Sequence, residues 1–379
     1  MIYKKILSWC LIIALCFLRI PTVSAKEVDF SISAQSAVLY EPQSGRVLYE
    51  KQADKPRAMA STTKLMTALV AVETLSLDQE VIVPEQAVRV EGTSLGLRGG
   101  DSITVKDLLV GMLLSSGNDA ANALALLCSG SLPAFSKRMN EKAKSLGMIN
   151  SYFVTPSGLD EGDHASTAKD MALLGAAVVK IPALAEICAL QKATVRFGNP
   201  KRAVTIKNHN RLLSLYPESV GLKTGFTKKA GRCLVSAAKR NGITLIAVTL
   251  QAPDDWNDHI ALYEHGFSKI SLFKPSSPKL PLLPIAGGEK DDALLTTVHP
   301  KPMVLLYDEQ KKLSVLINLP QFMWAPVLDG QTVGSVVYQI DGLVVQKVPI
   351  VIKNTVTKRL QKTFFEKWLE YFVFLIEKL

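Results

Sequence analysis

Two β-rich stretches lie far apart in this chain, and the sequence between them is helical in pattern. AVLYEPQSGRVLYEK (Ala37–Lys51) alternates apolar and polar residues around EPQSG, as a β-hairpin does. GRCLVSAAKRNGITLIAVTLQ (Gly231–Gln251) holds two β-rich runs around Asn241-Gly242, a dipeptide suited to a two-residue hairpin turn. Between them, Leu65 to Leu75 is apolar nearly all round, which implies a helix buried on most sides. Val105 to Cys128 is a second buried helical region, interrupted by Ser-Ser-Gly. Ala165 to Lys180 is amphipathic, with Ser166 or Thr167 as its cap, and a further helix is expected from about Asp258 to Ile270. The economical solution is an antiparallel sheet assembled from both ends of the segment with helices packed on it, an α/β sandwich.

The flanks of that segment have other characters. Lys4 and Lys5 precede the apolar stretch Ile6–Leu18, followed by PTVSA with small residues at Val23 and Ala25. Residues 1–25 therefore read as a secretory signal peptide, too short to span a bilayer comfortably, and the mature chain is expected outside the cytoplasm. KPSSPKLPLLP (residues 274–284) carries four prolines and reads as a stiff linker. Short alternating strands follow, suggesting a small all-β domain over 285–356, and residues 357–379 read as a terminal helix. The organisation expected is thus a catalytic-size unit over 26–273, then linker, β domain and helix.

At 48% apolar residues the chain can bury a large core. Its formal charge of +10 suits an acidic polymer or an anionic membrane. It has no zinc knuckle, aromatic-laced basic stripe or Arg-rich arm, so nucleic acid is not an expected partner. After the signal peptide only Cys128, Cys188 and Cys233 remain, which is no disulfide framework. No histidine pair stands at metal-ligating spacing, and DEGDH (Asp160–His164) reads as a polar loop, so neither metal nor cofactor is expected.

Ser-x-x-Lys occurs five times, at Ser61, Ser166, Ser236, Ser271 and Ser276, so spacing alone selects none of them. Two other motifs do. Ser116-Gly117-Asn118 is a S-x-N, and Lys223-Thr224-Gly225 is a K-T-G. Only Ser61 lies upstream of both and leads into a buried helix. S-x-x-K, S-x-N and K-T-G in this order are the constellation of penicillin-recognising serine enzymes. Gly92-Thr93-Ser94-Leu95-Gly96 fits the nucleophile elbow G-x-S-x-G, but LRGGD follows, which breaks the helix an elbow needs.

The chemistry requires this arrangement. A serine hydroxyl needs a base within hydrogen-bond reach, and residues i and i+3 of a helix share a face. Lys64 can thus reach Ser61. A lysine of reference pKa about 10.4 becomes a base at neutral pH only if burial or a second cation depresses it, and Lys223 is the evident second cation. Ser61 at a helix start also has backbone N–H groups suited to an oxyanion.

ASTTKLMTA, LLSSGNDAANALA, TPSGLDEGDHASTAKDMALL, NHNRLL, GLKTGFTKKAGRCLVSAAKRNG and APDDWNDH resemble, in order, the blocks of the low-molecular-weight penicillin-binding proteins, the serine D-Ala-D-Ala carboxypeptidases. APVLDGQTVGSVV resembles the family's C-terminal domain. The resemblance implies the α/β sandwich of the serine β-lactamase and penicillin-binding type. It implies Ser61 as the nucleophile acylated by the penultimate D-Ala, Lys64 as general base, Ser116 as proton relay and Asn118 as the holder of the acyl amide. Lys223 would supply positive field, Thr224 would bind the terminal carboxylate, and the N–H groups of Ser61 and of Phe226, after Gly225, would form the oxyanion hole. Peptidoglycan pentapeptides and β-lactams would be the ligands, and the amphipathic tail would rest on the outer face of the cytoplasmic membrane.

Two departures stand out. Ser219-Val220 replaces the aspartate often found before the GLKTG block, and APDDWNDH (Ala252–His259) lacks the arginine that often helps hold the carboxylate. The rival readings are a D,D-endopeptidase with the same catalytic groups, a class A-like β-lactamase, and a non-catalytic penicillin-binding scaffold. No E-x-x-x-N element stands before K-T-G, against the second, and the catalytic residues are all present, against the third.

Overall fold

The structure is a computed structural model that describes residues 31–360 and 364–378. The expected signal peptide, residues 1–25, lies outside the described residues, as does Leu379.

The first hairpin is β1 (Ser36–Glu41) and β2 (Arg46–Lys51). It is followed by a 3₁₀ turn, Ala60–Thr63, which runs directly into α1 (Lys64–Val72). Then come β3 (Glu80–Ile82), β4 (Ser102–Thr104), α2 (Val105–Leu114), α3 (Asn118–Ser129), α4 (Leu132–Ser145), α5 (Ala168–Val179) and α6 (Pro182–Ala189). The segment closes with β5 (Lys192–Gly198), β6 (Lys201–Lys207), α7 (Leu212–Leu215), β7 (Ser219–Thr227), β8 (Gly231–Arg240), β9 (Ile243–Leu250), α8 (Asp255–Phe267) and β10 (Ile270–Phe273).

The two hairpins meet as expected. The main sheet runs β2-β1-β9-β8-β7, all antiparallel, with Ser36 opposite Leu250 and Tyr40 opposite Ile246 where the N-terminal hairpin joins the late meander. The β8–β9 turn has positive φ at both Asn241 (+52°) and Gly242 (+82°), which the primed hairpin turn demands. Helices cover both faces. A Cβ added at Gly175 of α5 would lie 2.9 Å from Ile246, and one at Gly266 of α8 would lie 2.8 Å from Leu245. Successive strand residues point to opposite faces, so α5 and α8 sandwich the sheet, and glycine lets each come close. The larger core lies on the α5 side, where α1, α2 and α3 bury Leu65, Met66, Leu108 and Leu124 among their neighbours.

Some boundaries differ from expectation. Thr167 is the cap of α5, accepting from Asp170 N, while the Ser166 hydroxyl bonds Ser151. α8 starts at Asp255 rather than Asp258 and stops at Phe267. Asp255 in its first turn favours the positive end of the helix. Asp258 instead turns inward and accepts from Ser33 N, Ser33 Oγ and Ala34 N. Ile270 leaves the helix because β10 pairs with β14 (Met303–Leu306).

That pairing joins the stretch before the prolines to the region after them. β11 (Leu283–Ala286) begins two residues inside the expected linker 274–284, because Leu283 is buried in the small core with Ile285 and Val327. Around it stand β12 (Asp292–Ala293), β13 (Leu295–Thr297), β15 (Leu313–Asn318), β16 (Met323–Trp324), β17 (Thr332–Ile340) and β18 (Leu343–Ile352), with one short helix, α9 (Tyr307–Lys312). Their larger sheet runs β13-β18-β17-β15. The terminal helix α10 spans Phe364–Ile376, starting seven residues after Thr357.

Candidate active site

Ser61 sits in the 3₁₀ turn at the head of α1, where chain conformation is unusual. Ala60, immediately before it, has φ +48°, Ser116 has φ +63°, and Leu222, immediately before Lys223, has φ +84°. Three non-glycine residues in the left-handed region thus cluster on the three motifs. Strain of this kind persists only where surrounding structure over-determines it, and it concentrates at functional sites. The buried face of α1 holds the turn from below, and Thr62 Oγ1 ties it by donating to Met59 O (2.6 Å).

The site is built around Lys64, which is completely buried. Its Nζ lies 2.8 Å from Ser61 Oγ, 2.7 Å from Asn118 Oδ1 and 2.6 Å from the carbonyl oxygen of Ser157. The Asn118 amide is oriented by its other end, since Nδ2 donates to Glu91 O (2.6 Å). Asn118 Oδ1 and Ser157 O can only accept. A neutral amine has two N–H donors and one lone pair. The two donors go to the two carbonyl oxygens, and the lone pair is left facing the Ser61 hydroxyl. Burial, foremost, and the nearby Lys223 push the Lys64 pKa well below its ordinary value.

Lys223, Thr224, Gly225 and Phe226 lie on β7, the edge strand of the main sheet. Gly225 is required by contact: a Cβ there would meet Met59 O at 2.9 Å and Ser61 N at 3.0 Å. The missing side chain lets the strand edge lie against the backbone N–H of Ser61. Lys223 is buried, and its Nζ donates to Thr224 O (2.9 Å) and Thr224 Oγ1 (3.3 Å). Burial lowers its pKa to about 7. Ser61, Ser116, Thr224, Gly225 and Phe226 line one cleft of about 380 Å³. The structure thus brings all eight expected residues together: Ser61, Ser116, Thr224, Gly225 and Phe226 at the cleft, Lys64 and Asn118 beneath Ser61, and Lys223 behind Thr224.

The other serines are occupied elsewhere. The Ser94 hydroxyl donates to Asp119 Oδ2 (2.6 Å), and the same carboxylate accepts from Leu95, Gly96 and Leu97 N–H groups. The G-x-S-x-G segment is therefore a loop wrapped around Asp119, and Asn118 N donates into it at Thr93 O (2.7 Å). Ser236 is bonded to His259 Nδ1 and Tyr263 OH inside the sheet–α8 interface. Cys128, Cys188 and Cys233 are all unpaired.

Several groups that shape the site carry no sequence signal of their own. Ser157 O is a backbone acceptor, delivered by the loop whose Gly158 has φ +84°; a Cβ there would fall 2.0 Å from Ala60 O. His164, from the stretch read as a polar loop, is buried beside the Ala60–Thr63 turn. Its Nδ1 accepts from Val154 N (2.9 Å), which leaves Nε2–H to donate to Thr63 Oγ1 (2.8 Å). Burial lowers its pKa to about 4, so it stays neutral. His209, directly before the Asn210-Arg211 pair, and Arg232 also line the cleft.

Comparison with known proteins gives a consistent result. Residues 22–254 match the family model described as D-alanyl-D-alanine carboxypeptidase, and residues 267–358 match that of the penicillin-binding protein 5 C-terminal domain. The chain is 32% identical to the D-alanyl-D-alanine carboxypeptidase DacF of Bacillus subtilis, over 96% of this chain and 97% of that one. It is 36% identical to a D-alanyl-D-alanine endopeptidase of Escherichia coli, over only 58% of this chain and 72% of that one. Among solved structures, penicillin binding protein 5 of Haemophilus influenzae superposes with a TM-score of 0.68 at 29% identity, covering 86% of this chain and 98% of that one.

Proposed function

The chain belongs to the serine D-alanyl-D-alanine carboxypeptidase family, and from that premise we propose that it removes the terminal D-Ala of peptidoglycan stem pentapeptides through an acyl-enzyme on Ser61. The observation that carries this reading is the position of Lys64: its buried Nζ lies 2.8 Å from Ser61 Oγ, and its other two neighbours, Asn118 Oδ1 and Ser157 O, can only accept, so in the neutral amine the lone pair faces Ser61.

The Ser61 hydroxyl gives its proton to Lys64 Nζ as Oγ attacks the carbonyl carbon of the penultimate D-Ala. The developing oxyanion is held by the N–H groups of Ser61 and Phe226. The family resemblance assigns Asn118 to the amide of the acyl group. Collapse breaks the peptide bond, and the leaving amine of D-Ala takes a proton from Lys64 by way of Ser116. Water then attacks the ester and passes a proton to Lys64, which returns it to Ser61 Oγ as the ester C–O bond breaks and the shortened peptide acid leaves. Lys223 supplies positive field behind Thr224, which binds the terminal carboxylate. A β-lactam enters by the same attack and remains as a long-lived ester. No metal or cofactor takes part in this scheme.

Carboxypeptidase action is favoured over endopeptidase action by coverage. The carboxypeptidase relative matches nearly end to end, whereas the endopeptidase relative matches little more than the catalytic part. Incubating purified enzyme with a D-Ala-D-Ala pentapeptide should release free D-Ala stoichiometrically with tetrapeptide. Cleavage of crosslinked dimers into monomers, with no D-Ala freed from the pentapeptide, would favour the endopeptidase.

We further propose that the enzyme is exported by residues 1–25 and works on the outer face of the cytoplasmic membrane, held there by the tail 357–379. Support comes from α10, where Phe364, Phe365, Trp368, Leu369, Phe372 and Val373 are all exposed rather than docked on the β domain. No single helix among the described residues is long and apolar enough to cross a membrane. A helix with exposed aromatics on one side and Arg359, Glu366 and Lys367 nearby fits the interface plane instead.

A further inference from the structure

The cleft contains a fixed cation that none of the three motifs supplies. Arg232, on β8, lines it together with Ser61 and Thr224. The β7–β8 register sets Phe226 opposite Arg232 and Thr224 opposite Leu234. Directly opposed residues of an antiparallel pair share a face, so Arg232 emerges beside Phe226, one strand in from the substrate edge.

Its guanidinium is held on one edge and one face. Nε and Nη2 both reach Asp255 Oδ1, at 2.8 and 2.7 Å, and the Asp255 side chain is only 3% exposed. The guanidinium carbon stands 5.4 Å from the centroid of the Trp256 ring. Nη1 has no hydrogen-bond partner among the described residues, and the Arg232 side chain remains 42% exposed. A planar fork with one edge anchored and the other open is pre-organised for a carboxylate.

The segment after β9, Gln251–His259, has no lysine or arginine. What it contributes is Asp255 and Trp256, the two residues that hold Arg232. Lys223 is a poorer partner for an anion, since its ammonium already donates twice to Thr224 and lies buried behind it. Arg211 also lines the cleft, but its exposed side chain makes no hydrogen bond or ion pair among the described residues, so nothing fixes its direction.

We propose that Arg232, set by Asp255 and Trp256, binds the terminal carboxylate of the substrate alongside Thr224 and so determines the preference for a free C-terminal acid. The cation that reads the carboxylate thus comes from the second strand of the sheet. This rests on the carboxypeptidase reading, and Asp255 is a positioning residue within it.

The test compares a D-Ala-D-Ala peptide with its C-terminal amide, and benzylpenicillin with its methyl ester, on the full enzyme. Arg232→Gln should lower kcat/KM for the acid roughly ten- to hundredfold, mainly through KM, as loss of a charge-assisted hydrogen-bond pair does. Turnover of the amide should change far less, so the acid preference collapses. Arg232→Lys, which keeps the charge but not the fork, should retain part of the preference, and Asp255→Asn should raise KM for the acid with little change in kcat. Arg211→Gln should keep the preference. Equal losses for acid and amide in a variant of unchanged thermal midpoint would overturn the proposal, as would collapse of the preference in Arg211→Gln. If the parent enzyme is acylated by penicillin yet releases no D-Ala, the carboxypeptidase reading fails instead. The acid-to-ester ratio in acylation then decides on Arg232 by the same criterion.

Discussion

At the scale of single residues, the proposed mechanism turns on a lysine that must be neutral to work. An isolated buried ammonium is costly, and the group escapes that cost by shedding its proton. The sign of the pH effect follows. Lowering the pKa of Lys64 means that, as pH rises, the base form appears well below the range of an ordinary lysine. Acylation by benzylpenicillin should therefore rise with pH through an inflection far under that range and be lost as pH falls below it. Lys64→Arg keeps the charge and removes the base, so the acylation rate should fall by about three orders of magnitude or more. A variant retaining most of the rate in a stopped-flow acylation assay would place the base elsewhere. Ser61, Lys64, Ser116, Asn118 and Lys223 to Phe226 were legible in sequence because the reaction needs particular side chains at particular spacings. Arg232 was not. Arginine is common, and only the β7–β8 register and the fold of the chain at Asp255 bring this one to the cleft. The carbonyl of Ser157 was invisible for a simpler reason: any residue type supplies one.

At the scale of elements, the hairpins were readable and the helix ends were not. The Asn241-Gly242 turn and the alternation on either side determine two strands locally, whereas the start of α8 depends on which aspartate turns inward, a tertiary matter. The turn that carries Ser61 is likewise set by something remote in sequence. Gly158 abuts Ala60, and Cβ addition would place a methyl 2.0 Å from its carbonyl oxygen. Gly130 has a similar positive φ, +73°, with nothing within 4 Å of an added Cβ. Gly130→Ala should cost only the backbone strain, about 1–2 kcal/mol, with acylation unchanged. Gly158→Ala should cost about 3 kcal/mol or more and slow acylation, because the Ala60 turn and the Ser157 carbonyl both shift. Denaturant melts and penicillin acylation rates of the pair check this. Matching behaviour in the two variants would mean that the contact with Ala60 does not hold the turn.

At the scale of the whole molecule, the N-terminal stretch suggested export, and the net charge suggested an acidic polymer or an anionic membrane as partner. The sheet with its two helical faces carries the chemistry, the β region follows it, and α10 presents its aromatics to the outside. The tail's amphipathic character was plain in sequence, but its start was not. Residues up to Arg359 are tied to the β region, Glu289 N donating to Thr357 O and Arg359 N to Gly287 O, before the helix begins at Phe364. Ending the chain after Leu360, beyond these ties, should leave a folded enzyme with full acylation rate and abolish its sedimentation with anionic phospholipid vesicles. Vesicle binding by the shortened chain, or its unfolding, would contradict the anchoring role. All of these roles presuppose the serine ester, and its site can be read directly. Penicillin-labelled enzyme, digested and analysed by mass spectrometry, should carry one penicilloyl adduct on the peptide containing Ser61, and Ser61→Ala should carry none. An adduct on Ser94, Ser166 or any other serine, or an adduct that survives Ser61→Ala, would contradict the account.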